Sequence, residues 1–418
     1  MMAQLSADAD AFGPMLTIEQ AAERAAEHIT AVAGAELVPL AAADGRVLAQ
    51  DVIAPVDLPP FANSAVDGYA VRYADLAAAG ETRLPLSGRV PAGADAAGVA
   101  TCGMAVRVFT GAPMPAGADT VFMQEDVALD AGTVILPAGL KRGANARPAG
   151  EDLPRGEVAL SAGRRLRPQD LALLAALGLT EVVARRRVRV AIFSTGDELN
   201  EPGTALPPAG IYDANRSLLR ALVARAGAEV VDLGILRDEQ ESLAGRLRAA
   251  AADCDLILTS GGVSTGEEDH VKAAVEQTGE LAFWRVAIKP GRPVAMGLVA
   301  GTPFIGLPGN PVAVFVTFAF VARTVIALLS GTKPARLHGL PVRLGFPYKK
   351  KAGRREYVRV SLAAGPDGIA VARKHPRDGA GVLTSLTETD GLVELADELT
   401  SIAEGTIAPF LAYEMLTG

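Results

Sequence analysis

The stretch DLILTSGGVSTGEEDH, residues 255–270, decides how the rest of the chain is read. Its first five residues are a short apolar run of the kind that makes a buried strand. Ser260, Gly261 and Gly262 follow, and the paired glycines let the backbone turn sharply and leave room for a ligand to come close. Ser264 and Thr265 add hydroxyls. Glu267, Glu268 and Asp269 then bring three carboxylates to the start of a helix expected over 267–277. A strand, a hydroxyl-rich glycine loop and a helix N-terminus make an anion cradle, because backbone N–H groups and the helix dipole both favour negative charge. Three acids at the same place repel an anion unless a cation lies between them. Taken alone, the stretch also fits a plainer reading, in which acids suit the positive end of a helix and glycines turn the chain.

Around this stretch, strands and helices alternate from Val188 onward. VRVAIF, EVVDLGI, DLILTS, FWRVAI, PVAMGLV and PFIGL read as strands, with helices over 216–226, 239–252 and 267–277 between them. Asn310 caps a final long helix with Pro311 at its first turn. The pattern predicts a doubly wound α/β domain with a mostly parallel sheet over 187–332. The apolar segment 311–329 is long enough to span a membrane, but Arg323 lies inside it and a strand and turn lead straight into it. A buried helix is the expectation, and no membrane.

Either side of this domain the chain changes character. Thr17, Ile18, Glu19 and Gln20 read as a capping box opening a helix to about Val32, ended by Gly34. Short strands broken by Gly, Pro and Asp fill 84–136 and suggest a small β domain inserted over 55–146. Residues 15–54 and 147–186 form a split helical and linker domain, in which Pro168 begins a helix that stops before Gly178. Short strands return over 333–418 as a β-barrel-like or sandwich domain, so the fold class is an α/β multidomain protein.

Composition sets further bounds. The 418 residues are too many for one ordinary core, and half of them are hydrophobic. A net charge of −8 and the lack of a lysine-rich face argue against nucleic-acid binding. The basic runs 185–189 and 349–355 are short enough to be solvated strand edges. Cys102 and Cys254 lie far apart in apolar surroundings, which suits a reducing cytoplasm and offers no zinc spacing. The start, MMAQLSADADAF, has neither the basic beginning nor the apolar centre of a signal peptide, so a cytoplasmic location is expected.

Open α/β sheets bind ligands beyond the carboxyl ends of their strands. That filter gathers Ser194, Thr195, Gly196, Asp197 and Glu198 after the first strand, and Arg237 and Asp238 after the second. Ser260, Gly261, Gly262, Ser264 and Asp269 follow the third, and Lys289, Pro290, Gly291 and Arg292 the fourth. Pro308, Gly309, Asn310 and Pro311 precede the last helix. Singly, each has a plain reading: Lys-Pro-Gly-Arg as a surface turn, Arg237-Asp238 as a solvated pair or helix cap. Their agreement on one rim points to an anionic, phosphate-bearing ligand held by Lys289, Arg292 and loop amides. The acids would bind Mg²⁺ or polarise a nucleophile. No P-loop and no strand-borne G-x-G-x-x-G is present. Asn63, Ser64, Asp67, Gly68 and Tyr69 form a separate polar knot, either a turn or a site.

The motifs PPFANSAVDGYAV, FTGAPMPAGADTVFMQE, NARPAGEDL, STGDEL, IYDANR, LGILRDE, TSGGVSTGEEDH, FWRVAIKPGRP and GLPGNPVAVFVTF occur in this order over nearly the whole chain. In this the chain resembles the molybdopterin molybdenumtransferases, which are related to the C-terminal half of gephyrin. The resemblance implies an elongated homodimer with each active site formed between two subunits. It implies insertion of molybdenum from molybdate into adenylylated molybdopterin, with Mg²⁺ and release of AMP. Family roles would fall on Asp67, Thr110, Glu198, Asp238, Asp269, Lys289 and Arg292, with Glu198, Asp238 and Asp269 at the metal. The matched motifs add Asp213, Asn215 and Arg359 to the binding set. Molybdopterin adenylyltransferase and chaperones of molybdenum enzymes are the partners such an enzyme would have. Departures fall at Arg292, where the family carries a second lysine, at Ala62 for an acid and at Ala380 for a serine. A gephyrin-like scaffold, the adenylyltransferase acting one step earlier on molybdopterin and a tungstate-inserting paralogue are the rival readings; the rim acids favour an enzyme over a scaffold, and the residues before Val188 with the final β domain favour the inserting enzyme over the adenylyltransferase.

Overall fold

The structure, a computed structural model, describes residues 15–236, 240–262, 270–291, 294–334 and 337–417. The chain divides into two compact units, Met1–Glu36 with Gly45–Val47 and Ala184–Gly418, and Leu37–Asp44 with Leu48–Val183.

The larger unit is built on a seven-stranded sheet. In chain order its elements are β1 (Met15–Leu16), α1 (Ile18–His28), β2 (Arg189–Thr195), α2 (Ala214–Arg225), β3 (Glu229–Leu236) and α3 (Gln240–Asp253). They continue as β4 (Leu256–Ser260), α4 (His270–Thr278), β5 (Gly279–Val286), β6 (Val294–Val299), β7 (Thr302–Leu307) and α5 (Pro311–Leu329). The spatial order is β1-β5-β6-β7-β4-β2-β3, and only β6 runs against the rest. Alternation along each strand decides which helices cover which face. Val190, Ile192, Leu256 and Leu258 pack with α2 and α5, whereas Ala191, Phe193 and Ile257 pack with α3 and α4. That is the doubly wound arrangement expected from the apolar runs. Helix α5 is 78% buried, which makes it a core helix; a wider π turn at Phe318–Ala322 interrupts it.

Several local readings shift. Thr17 and Gln20 do close a capping box, with Thr17 N donating to Gln20 Oε1 at 3.0 Å and Gln20 N to Thr17 Oγ1 at 3.2 Å. Helix α1 nevertheless ends at His28, because Val32 turns its N–H to Leu329 O (2.8 Å) at the end of α5. Asn310 stands at the α5 N-cap but makes no side-chain capping bond. Cys102 is exposed, while Cys254 is buried. Asp255 precedes the strand instead of beginning it: Arg186 grips its carboxylate with two bonds of 2.7 Å, and Arg189 N donates a third at 2.8 Å. Within the basic run 185–189 Arg186 is therefore a brace on Asp255, while Arg187 is exposed as on a solvated edge. Lys350, expected on a solvated edge, is 9% exposed and donates to the carbonyls of Ala396, Asp397 and Leu399.

Beyond α5, strands Arg355–Ala363, Val371–Lys374, Leu340–Leu344, Ile407–Ala412 and Gly391–Leu395 pair in a closed ring, a small barrel filled by Val342, Leu344, Val360, Val393 and Phe410. Ile288–Lys289, just after β5, pairs in parallel with Arg355–Glu356 of this barrel. The smaller unit holds a six-stranded mixed sheet of Thr120–Met123, Gly68–Val71, Ala105–Val108, Thr82–Val90, Thr133–Leu136 and Ala128–Asp130. It also carries the helix Pro168–Ala176, ended at Gly178 with φ 78°.

Burial pushes the Asp255 carboxyl up, but the Arg186 and Arg189 bonds outweigh burial and hold it below the usual aspartate range. Its contribution to stability is thus complete above the unfolded-chain pKa and lost as pH falls through the lower folded value. Asp255→Asn is expected to cost about 2 kcal/mol near neutral pH, the range for hydrogen bonds to charged groups. The gap between the two proteins should narrow below about pH 4. Urea unfolding at several pH values measures it; a gap independent of pH would contradict the assignment.

Candidate active site

Strand β2 has β3 on one side and β4 on the other, so the chain changes winding direction there, and the crevice at such a point is where open sheets bind ligands. The loops at this point are shaped by close approach. Gly262 (φ +63°) has room for no side chain: a Cβ would stand 2.5 Å from Val271 Cγ2 and 2.6 Å from Thr195 Oγ1. Gly261 (φ +89°) donates its N–H to Leu307 O at 3.1 Å, tying the β4 and β7 ends together. Ser194 and Ser260 face each other across β2 and β4, hydroxyls 3.2 Å apart and fully buried. Gly196 closes over the Glu198 carboxylate, which a Cβ there would meet at 2.6 Å. Asp197 and Glu198 themselves are exposed.

Helix α2 brings Asn215 to the same place, where its Nδ2 donates to Gly309 O at 2.6 Å. Asn215 Oδ1 and Thr195 Oγ1 are buried and have no hydrogen-bond partner among the described residues. Leaving a buried polar atom unmatched costs on the order of 1–3 kcal/mol, and these two lie beside the glycine loops. Asp213 does something else. Its buried carboxylate caps α2 by accepting from Arg216 N (3.1 Å), and it pairs with Arg216 Nε (3.1 Å).

The turn 308–311 has two sides. Gly309 faces the crevice, whereas Pro308 and Asn310 line a cavity of about 540 Å³ shared with the barrel, and Pro311 starts α5. Lys289 lies on the cavity wall, its Nζ 3.0 Å from Glu356 Oε2. Among the described residues the cavity is lined by four cations, Lys289, Lys349, Arg359 and Lys374, against two carboxylates, Glu356 and Asp378, an excess of two positive charges. Glu356 pairs with Lys289 and Asp378 with Lys374 (2.8 Å), so the excess falls on Lys349 and Arg359. Arg359 is only 9% exposed, donates Nη1 to Gly379 O at 2.7 Å and has no carboxylate within ion-pair distance among the described residues. Burial holds its guanidinium below the usual arginine range.

Asp67 and Thr110 belong to the smaller unit and form a pair of their own. Thr110 donates both its N–H and its hydroxyl to Asp67 Oδ1, each at 2.8 Å, and these bonds hold the carboxyl below the usual aspartate range. Asp238, Ser264, Asp269 and Arg292 lie outside the described residues. Glu198 is thus the single described acid of the three expected at Mg²⁺, and the described residues include no cluster of three metal-ligating side chains. Mg²⁺ is commonly held by one or two carboxylates together with substrate phosphates and waters, so Glu198 is a chemically suitable oxygen donor for it.

Sequence reasoning passed over Tyr348, Glu356 and Lys374. Their only trace in the chain is the alternation in REYVRV and the lysines around it, which read equally well as an exposed strand edge.

Comparison with known proteins fits this architecture. Residues 16–178 match the family described as MoeA N-terminal region (domain I and II), 191–327 the "Probable molybdopterin binding domain", and 341–413 the MoeA C-terminal region (domain IV). Molybdopterin molybdenumtransferase of Haemophilus influenzae is 37% identical over 404 residues, 95% of this chain and 99% of its own. Molybdopterin molybdenumtransferase 2 of Mycobacterium tuberculosis is 37% identical over 379 residues, 88% of this chain and 93% of its own. The crystal structure of the molybdopterin biosynthesis MoeA protein from Pyrococcus horikoshii superposes with a TM-score of 0.81 at 30% identity, covering 96% of this chain and all of that one. Fold and site together define a multidomain α/β protein of the molybdopterin-binding class. The chain belongs to the molybdopterin molybdenumtransferase family, whose members are transferase enzymes.

Thr110→Val removes one of the two donors to Asp67 and leaves the backbone N–H in place. The Asp67 carboxyl is then expected to titrate closer to the ordinary aspartate value, read by carbon NMR of the side chain. An unchanged titration would mean that the hydroxyl contributes nothing.

Proposed function

We propose that the protein inserts molybdenum, supplied as molybdate, into molybdopterin presented as its adenylate, with release of AMP. The observation that carries this reading is the cavity's excess of two positive charges among its described lining residues, one of them the buried Arg359, which has no carboxylate within ion-pair distance among the described residues. An unpaired buried cation is costly, and a dianion of molybdate's size offsets it where a neutral ligand would not. The switch-point crevice, with its glycine loops and the unmatched Thr195 and Asn215 atoms, suits the polar edges of the larger organic substrate. Turn 308–311 touches both places, which favours one site with two compartments.

In this reading Lys289 and Arg359 orient the oxyanion by charge and hydrogen bonds, as preorganised donors do at developing negative charge. Arg292, three residues after Lys289 in the sequence, is proposed as a further cation for the oxyanion. The ionised Asp67 serves as acceptor for a proton or a water. Water attacks the phosphoanhydride, leaving one phosphate on molybdopterin and the other on AMP, and one molybdate oxygen leaves as water with the two thiol protons as the metal takes the two sulfurs of molybdopterin. Mg²⁺ enters as a requirement of the reaction, with Glu198, Asp238 and Asp269 its proposed holders. The proposal extends to a homodimer in a reducing cytoplasm, with each site completed by both subunits and the adenylate delivered by an adenylyltransferase.

The test incubates the protein with adenylylated molybdopterin and molybdate and follows AMP. Release is expected to require molybdate and to stop with EDTA. Lys289→Ala should raise the molybdate requirement about tenfold, the value of one charged hydrogen bond. AMP release indifferent to molybdate would contradict the function, and absence of any release would favour a scaffold. Subunit sharing has its own test. Mixing inactive Asp67→Ala protein with inactive Asp269→Ala protein is expected to restore roughly a quarter of full activity, since half of randomly reassorted dimers are mixed and each has one intact site. No recovery after proven subunit exchange would place both residues in one chain's site.

A further inference from the structure

We propose that Glu356 is a positioning residue for oxyanion binding: its buried carboxylate anchors the ammonium of Lys289 at the cavity wall. This rests on the function proposed above. Lys289 and Glu356 stand opposite each other where the strand leaving β5 joins the barrel, and Arg355 N donates to Ala287 O at 2.7 Å to close that junction. The carboxylate is 1% exposed, yet both of its oxygens are matched. Oε2 accepts from Lys289 Nζ and from the Tyr348 hydroxyl, each at 3.0 Å, and Oε1 accepts from Arg354 Nε at 2.9 Å.

A lysine whose side chain is 47% exposed has many rotamers, and each must be given up when it grips an anion. An anchor that fixes the ammonium beforehand removes that cost from the binding step. Tyr348 extends the platform. Its hydroxyl is held by Glu356, and its ring lies 6.0 Å from Lys289 Nζ and 5.5 Å from Lys374 Nζ. One buried carboxylate thereby orders two of the four cations facing the cavity. Its own charge does not repel the guest outright, because Arg354 and Tyr348 donate to it as well as Lys289.

A carboxylate that only steadied the barrel would change stability without changing how Lys289 meets an anion, and a double-mutant cycle separates the two. Molybdate is titrated calorimetrically into the full chain, with thermal melting run on each variant. Glu356→Gln is expected to weaken binding about tenfold, as loss of one charged hydrogen bond does. Lys289→Ala should weaken it similarly, and the double variant should bind no worse than Lys289→Ala alone. Glu356→Asp, which keeps the charge at the same strand position, should recover most of the affinity. If Glu356→Gln does not fold, Tyr348→Phe removes the hydroxyl that holds the same carboxylate oxygen in place for Lys289 and should weaken binding in the same direction by a smaller factor. Wild-type affinity in Glu356→Gln or in that substitute, or losses that simply add in the double variant, would overturn the proposal and leave the function standing. A wild-type protein that binds no molybdate would overturn the function, and the proposal with it.

Discussion

Ile288 and Lys289 leave the α/β sheet and pair with Arg355 and Glu356 of the barrel, and the cationic cavity exists because of that pairing. Two hydrogen-bonded residues fix a loop of one fold against the wall of another. The same junction sets Lys289 beside a buried carboxylate, with Arg359, three residues further along the barrel strand, facing the cavity and having no acidic partner among the described residues. Cationic walls on a chain of net charge −8 concentrate positive potential where the rest of the molecule repels anions.

The crevice and the cavity divide the chemistry. In the crevice the recognition surface is backbone: glycines at positive φ, close-packed strand ends and two unmatched polar atoms. In the cavity it is side-chain charge held by other side chains. Turn 308–311 joins them, with Gly309 on one side and Pro308 and Asn310 on the other. In the proposed function the first would take the larger polar substrate and the second the small dianion.

Much of this was legible in the sequence, for reasons that can be named. DLILTSGG reads as strand and turn because apolar run and glycine pair agree, and the strand-end rule collected Thr195, Gly261, Gly262, Lys289 and Gly309 before their packing was seen. Thr17 and Gln20 gave the helix start, but Ile29 and Val32 kept the apolar pattern going past its end, where a tertiary bond to Leu329 took over. Asp213, expected in the binding set, stands before Ala214 as the N-cap of α2, a local role its position ahead of the helix makes readable. Arg186 and Asp255 are separated too far along the chain for either to announce the other, so the basic run looked like surface. Glu356 was illegible for the same reason: a lone acid in an alternating strand shows nothing of a lysine brought in by β pairing.

The central claim is that the cavity between the α/β rim and the barrel takes a molybdate dianion. Anomalous diffraction at the molybdenum edge, from crystals soaked in molybdate, tests it most directly. The expected result is an anomalous peak inside the cavity, within hydrogen-bonding reach of Lys289 and Arg359. A fully occupied peak elsewhere on the chain, or none at saturating molybdate, would contradict it.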